Sequence, residues 1–189
     1  MDLLHLAIRS ARTVAFVSLA TAAVPGTAAT LTFDDLISGA TSYGFDGDAD
    51  GIDDVVFTTT DPGGFNTVGP GLNQSYIHEP GLEGTSLLPQ DLRADFLNKA
   101  SGSISFGFAL DSSVANSSYF ANVKIYGVGG TLLGEQTVAG AFTATSGGQS
   151  SFPEGQVSLS FAGEASYMVF DFTSEYGRYI IDDLSLIHI

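Results

Sequence analysis

Ile104-Ser105-Phe106-Gly107-Phe108-Ala109-Leu110 alternates large apolar side chains with small ones along its whole length. An alternation of period two is the strand pattern, because successive side chains leave opposite faces of a sheet. Ile104, Phe106, Phe108 and Leu110 share one face, while Ser105, Gly107 and Ala109 share the other, as expected of a sheet packed on a second sheet. The same period recurs on either side. It appears in Leu31-Thr32-Phe33, Val55-Val56-Phe57-Thr58-Thr59, Val123-Lys124-Ile125-Tyr126, Val157-Ser158-Leu159-Ser160-Phe161, the run 167–172 and Tyr179-Ile180-Ile181. Leu92-Arg93-Ala94-Asp95-Phe96 has the composition of a short helix, but its alternation fits a strand better. Turn chemistry separates these runs, in Asp61-Pro62-Gly63-Gly64, Gly69-Pro70-Gly71, Gly147-Gly148 and Pro153-Glu154-Gly155. The fold expected is all-β: a two-sheet antiparallel β-sandwich, jelly-roll-like, forming a single domain over residues 30–183. Residues 60–90, rich in Gly and Pro, are expected to form a long decorated loop over a sheet edge or end.

The 189 residues carry 6 basic and 21 acidic side chains, a formal charge of −15. That balance excludes a nucleic-acid binder, which needs a basic face to neutralise phosphates. With no Cys there is no disulfide framework, thiol nucleophile or Cys-based zinc site.

Residues 1–29 read as a secretory signal peptide. Arg9 and Arg12 give a positive start, an uncharged apolar run follows, Pro25-Gly26 ends it, and Thr27-Ala28-Ala29 supplies small residues for cleavage after Ala29. The uncharged run from Thr13 to Ala29 is shorter than the roughly 20 residues a membrane-spanning helix needs. Cleavage removes Arg9, Arg12 and Asp2, leaving 6 − 2 = 4 basic and 21 − 1 = 20 acidic residues, a charge of −16. At the other end, Leu184-Ser185-Leu186-Ile187-His188-Ile189 matches the translation of a transposase-type sequencing adapter. Residues 184–189 are therefore expected to be a non-native tail on a gene truncated near Asp183, and His188 is given no functional weight.

The sharpest motif is Asp46-Gly47-Asp48-Ala49-Asp50-Gly51-Ile52-Asp53-Asp54. Aspartates at alternate positions followed by Gly let the backbone curl so that carboxylates converge on one hard cation, and calcium accepts such oxygen cages. Asp46, Asp48 and Asp50 match positions one, three and five of the twelve-residue calcium loop, Ile52 the backbone ligand and Asp54 position nine. Position twelve is Phe57, so the bidentate Glu of an EF-hand is absent and the motif reads as a shorter Asp-rich loop of the extracellular kind. The expected ligand set is Asp46, Asp48, Asp50, Ile52, Asp53 and Asp54, and the expected ion is a structural Ca2+; a solvated acidic turn is the plainer alternative. Two further acidic pairs, Asp34-Asp35 and Asp182-Asp183, sit near the ends of the expected domain. If the first and last strands lie side by side, these pairs either share a cation or cap their strands, and capping is the simpler reading.

Catalytic signals are sparse. Beyond the leader the only histidines are His78 and His188, and there is no Gly-x-Ser-x-Gly, His-Glu-x-x-His or phosphate loop. Glu79 and Glu83 have the character of a glycosidase carboxylate pair, but any two loop glutamates in so acidic a chain look alike. Tyr43, Phe45, Phe65, Tyr76, Tyr119 and Tyr176 are candidates for stacking on sugars, or for completing a core.

The leader, Leu31-Thr32-Phe33-Asp34-Asp35-Leu36, Leu92-Arg93-Ala94-Asp95-Phe96-Leu97 and the stretches 103–110 and 152–183 together resemble secreted bacterial proteins of the PEP-CTERM, exosortase-sorted kind. Such proteins end in a Val-Pro-Glu-Pro motif, a hydrophobic helix and an Arg cluster, none of which is present here; the expected truncation accounts for that. The resemblance implies export in a Gram-negative bacterium and a place at the cell surface or in the exopolysaccharide matrix, and implies no reaction. The expected function is that of a non-catalytic, calcium-stabilised extracellular β-sandwich. The alternatives are a carbohydrate-binding module with extracellular polysaccharide as partner, and then a glycan hydrolase.

Overall fold

The structure is a computed structural model that describes residues 29–69, 71–78, 80–87 and 92–186. The expected leader up to Ala28, together with Glu79, His188 and the rest of 187–189, lies outside the described residues.

The described chain is built almost wholly from antiparallel strands: β1 (Ala29–Leu31), β2 (Ser42–Phe45), β3 (Val55–Thr58), β4 (Asn66–Val68), β5 (Gly81–Thr85), β6 (Leu92–Leu110), β7 (Phe120–Gly127), β8 (Leu132–Ala139), β9 (Ala144–Thr145), β10 (Gly148–Gln149), β11 (Glu154–Thr173) and β12 (Arg178–Leu186). Leu92 to Phe96 is strand, as its alternation predicts, and it opens the long β6. The runs 157–161 and 167–172, which read as two strands, are two halves of β11.

β6 and β11 pair with each other along most of their length and run through both layers. In one layer the order is β4-β5-β12, then the C-terminal half of β6 and the N-terminal half of β11. In the other, β2 and β3 join the N-terminal half of β6, and β7 and β8 follow the C-terminal half of β11. The corner between the halves is marked by register shifts at Phe161/Ala165 and Ala165/Tyr167. Left-handed backbone at Lys99 (φ 61°), Gly102 (φ 97°) and Gly163 (φ 96°) accompanies it. Bulges of this kind bend a strand and raise its local twist.

The layers meet through aromatic side chains. Phe106 of β6 meets Phe170 of β11 edge-on with ring centroids 5.3 Å apart, although in the sheet Phe106 pairs with Val157 and Phe170 with Leu92. Phe172 stacks on Tyr179 of β12 at 3.9 Å. The large face of 104–110 is thus the core face, with Ile104, Phe106, Phe108 and Leu110 all buried. β1 pairs with the end of β12, Leu31 opposite Leu184 and Ala29 opposite Leu186, and Leu31, Leu184 and Leu186 are buried.

The small face of the same strand is covered differently. Residues 60–90 supply two strands, β4 and β5, at the edge of the first layer, and between them residues 71–78 cross the outer face of β6. At Gly107 a Cβ atom would stand 1.7 Å from the Tyr76 carbonyl oxygen, so only Gly lets the covering segment lie this close. Two buried carboxylates hold that segment. Glu154 accepts from the Ser75 and Tyr76 N–H groups at 2.9 and 3.1 Å, and Asp182 accepts from His78 N–H at 3.1 Å. Ile77 then packs with Ala109, Ile180 and Phe152 in a small second cluster outside the sheet.

Gly107→Ala is expected to push the Tyr76 carbonyl off the sheet and to destabilise the fold by about 1–3 kcal/mol, the range for overpacking a tight site. Urea denaturation measures the loss, and limited proteolysis should show 71–78 opened. An unchanged midpoint would show that the segment does not rest on Gly107.

Candidate functional site

The Asp-rich loop joins β2 to β3. Its ends are fixed because Ser42 to Phe45 pairs with Val55 to Thr58 and Asp54 N–H donates to the Phe45 carbonyl at 2.7 Å. Within it, Ala49 and Gly51 take left-handed backbone, φ 60° and 87°. That curl folds the chain back on its own carboxylates. Asp46 accepts from Gly51 N–H at 2.7 Å and from Asp50 N–H at 3.2 Å, Asp48 also accepts from Asp50 N–H at 3.1 Å, and Asp50 accepts from Ile52 N–H at 2.8 Å.

Asp46, Asp48 and Asp50 are thereby brought together, with one carboxylate oxygen from each lying within 4.8 Å of the others. Calcium takes oxygens at about 2.3–2.6 Å, so oxygens at that mutual separation can share one ion. Asp48 and Asp50 are exposed and Asp46 is half-buried. The local field shows in their titration. Hydrogen bonding from Gly51 N–H holds Asp46 below the usual carboxylate range. At Asp48 the Asp50 N–H bond pulls down, but desolvation and repulsion from Asp50, Asp54 and Asp46 together push the group up. The signs are opposite. Asp46 contributes stability that is present above its unfolded value and is lost as pH falls through its depressed one, whereas Asp48 opposes folding as it ionises and is relieved by acid.

The other residues expected as ligands lie elsewhere in the loop. Asp54 is buried beneath it; one oxygen accepts from Gly47 N–H at 2.7 Å and the other from the Asn98 amide. Its main chain is tied as well, since Leu97 N–H donates to the Asp54 carbonyl at 2.8 Å. Asp54 therefore anchors the loop to β6 just before the corner. Asn98 is the partner that sequence reading missed, and nothing local to the motif points to it. The Ile52 side chain is exposed. Asp53 lies against β2, where a Cβ at Gly44 would strike its carboxylate, and it shares a shallow acidic hollow with Asp34, Asp35 and Tyr43. Burial, the hydrogen bond to Asp35 and the surrounding carboxylates push the Tyr43 hydroxyl up.

β1 and β12 lie side by side, and the two terminal acidic pairs are engaged by different residues. Asp35 accepts from Tyr43 at 2.7 Å, whereas Asp182 and Asp183 engage His78. Glu83 is buried and paired with Arg178. Of the aromatic candidates, Phe65 is in the core, Tyr43, Phe45 and Tyr119 pack against it, and Tyr176 is exposed. Among the described residues no helix is long and apolar enough to cross a membrane.

No protein-family model and no curated protein matches the chain. Solved structures with a similar fold include the K1 cleaved adhesin domain of Lys-gingipain from Porphyromonas gingivalis W83, at 18% identity and a TM-score of 0.41, covering 87% of this chain and 99% of that one. The family 11 carbohydrate-binding module from Clostridium thermocellum matches at 14% identity and a TM-score of 0.39 over 88% of this chain and 98% of that one. TmCBM27, a mannan-recognising carbohydrate-binding module, matches at 12% and 0.39, covering 79% and 89%. At these identities and scores the likeness carries no argument about ligand or reaction.

Asp54→Ala should cost about 1–3 kcal/mol, because it leaves Gly47 N–H and the Asn98 amide without their acceptor. Chemical denaturation in the presence of chelator measures this. A carboxylate NMR titration of the wild type in chelator should find Asp48 titrating above Asp46; the reverse order would contradict the loop geometry.

Proposed function

We propose that this protein is a non-catalytic, calcium-stabilised β-sandwich that works outside the cell, at the surface or in the exopolysaccharide matrix. One observation carries the calcium reading. Beyond residue 29 the chain has 4 basic side chains, and each is already paired: Arg93 with Asp95, Lys99 with Glu164, Lys124 with Glu135 and Arg178 with Glu83. His78 is engaged by Asp183. Among the described residues every Arg and Lys is thus engaged by a carboxylate outside the group Asp46, Asp48 and Asp50, and an ion from solution is the remaining way to offset their repulsion. A hard divalent ion suits an all-oxygen donor set, and calcium tolerates the irregular geometry of a flexible loop better than magnesium does. The ion's role here is structural, holding the β2–β3 loop and, through Asp54 and Asn98, the adjoining part of β6.

Support for a non-catalytic role comes from how the candidate acids are used. Of the carboxylate pair Glu79 and Glu83, Glu83 is held by Arg178 and Glu79 lies outside the described residues; the buried Glu154 and Asp182 are engaged in binding backbone N–H groups. Export and surface location rest on the leader and on the resemblance drawn from the sequence. A second reading, glycan binding, is favoured by a cleft in the first layer, described below.

Thermal melting tests the proposal. Binding to the folded state alone stabilises by RT ln(1 + [L]/Kd), about 1.4 kcal/mol at ten times Kd. For an extracellular site with Kd of about 10⁻⁴ to 10⁻³ M, 10 mM calcium should raise the melting temperature and chelator should lower it. Asp48→Asn with Asp50→Asn should melt at or above the wild type in chelator, because like charges have been removed, and should not respond to calcium. A wild-type curve that calcium leaves unchanged would refute the calcium reading; release of reducing sugar from any polysaccharide, lost on Glu83→Gln, would refute the non-catalytic one.

A further inference from the structure

On the outer face of the first layer, a cleft of about 260 Å³ opens beside the segment that covers Gly107. Its floor is Ala109 of β6 and Ile180 of β12, which are register partners. Val68 of β4 and Phe152 form apolar walls, and Glu83, Arg178 and Asp111 gather at the polar part of the lining. We propose that this cleft binds one uncharged sugar ring of a polysaccharide. The inference deepens the glycan-binding reading and rests on it.

Size comes first. Pockets for drug-sized ligands span about 300–1,000 Å³, so a space slightly below that range suits a single ring rather than a stretch of chain. The chemistry then narrows the occupant. A pyranose has an apolar C–H face and a rim of hydroxyls, each both donor and acceptor. Phe152 and Ile180 offer the apolar surface. Arg178 offers donors: a guanidinium has five N–H groups, the Glu83 contact uses only part of them, and the side chain is 46% exposed. Asp111 offers acceptors. Its main chain is fixed by bonds with Arg178 and Tyr176, while its carboxylate takes no hydrogen bond from any described residue. Burial and the nearby Glu175 raise its pKa, which marks a carboxylate short of partners.

Charge excludes acidic sugars. Glu83 and Asp111 outweigh Arg178 locally, and the whole chain stands at −15, so a uronate or sulfated residue would enter against the field. The ion pair also has a positioning effect: Arg178 is tied to Glu83, which is itself buried, so the donors are preorganised instead of being ordered at the moment of binding.

The test uses the secreted chain with calcium present. It is applied to an array of neutral gluco-, manno- and galacto-oligosaccharides beside uronate-containing and sulfated ones, followed by calorimetry with the best neutral binder. Wild type should bind one neutral series. Asp111→Ala should weaken that binding tenfold or more, and Val68→Trp, which fills the cleft from its rim, should abolish it; both variants should keep the wild-type melting temperature. Neutral-glycan binding unaffected by either change would overturn the cleft while leaving the glycan-binding reading standing. Preference for the acidic series would overturn the neutral-sugar cleft, and silence across the array at millimolar concentration would overturn both.

Discussion

The pairing of β6 with β11 through a bend is the constraint on which the other elements depend. Two strands that stay hydrogen-bonded while turning from one layer into the other fix both the spacing of the layers and the register of everything attached to them. β12 and β5 are placed by the C-terminal half of β6, and β2 and β3 by its N-terminal half. The turn requires backbone that ordinary strand residues avoid, hence Gly102 and Gly163, and also Lys99 at a conformation costly for a residue with a side chain. The acidic loop is bonded to β6 at Leu97 and Asn98, immediately before Lys99. A cation in that loop would therefore act on the bend as well as on the loop itself.

Charge imbalance shapes the rest. A chain with so few bases cannot satisfy all its carboxylates by ion pairing; of the buried ones among the described residues only Glu83 has an Arg, and the other three accept backbone N–H groups. Glu154 takes Ser75 and Tyr76, Asp182 takes His78, and Asp54 takes Gly47. A charged acceptor bonded to backbone donors is among the stronger hydrogen bonds available to a protein. The same device covers the outer face of the first layer and seats the acidic loop. Asp46, Asp48 and Asp50 use the same device but stay crowded together near the surface, and Asp111 in the cleft takes no hydrogen bond from any described residue; these are the two places where we propose a ligand.

Much of this was legible in the sequence wherever the signal is local. The alternation of 104–110 identified its core face, and the spacing of Asp46, Asp48 and Asp50 foretold their convergence, because both depend only on neighbours along the chain. What escaped depends on distant residues. Nothing in the small face of 104–110 says what covers it, and Gly107 makes room for the Tyr76 carbonyl. β5, with Gly at two of its positions and a charged Glu83 on its outer face, does not read as a strand, and it becomes one only beside β12. β11 looked like two strands because its bulged middle interrupts the period. Asp54 also holds Asn98, forty-four residues on, a contact that the spacing of the motif does not announce.

The central claim is that a calcium ion occupies the β2–β3 loop and holds it to β6. Anomalous diffraction from crystals grown in calcium locates the ion directly. The account predicts one ion bonded to carboxylate oxygens of Asp46, Asp48 and Asp50 at about 2.3–2.6 Å, with Asp54 still accepting from Gly47 and Asn98. An empty loop at saturating calcium, or an ion held elsewhere with these three carboxylates splayed into solvent, would contradict it.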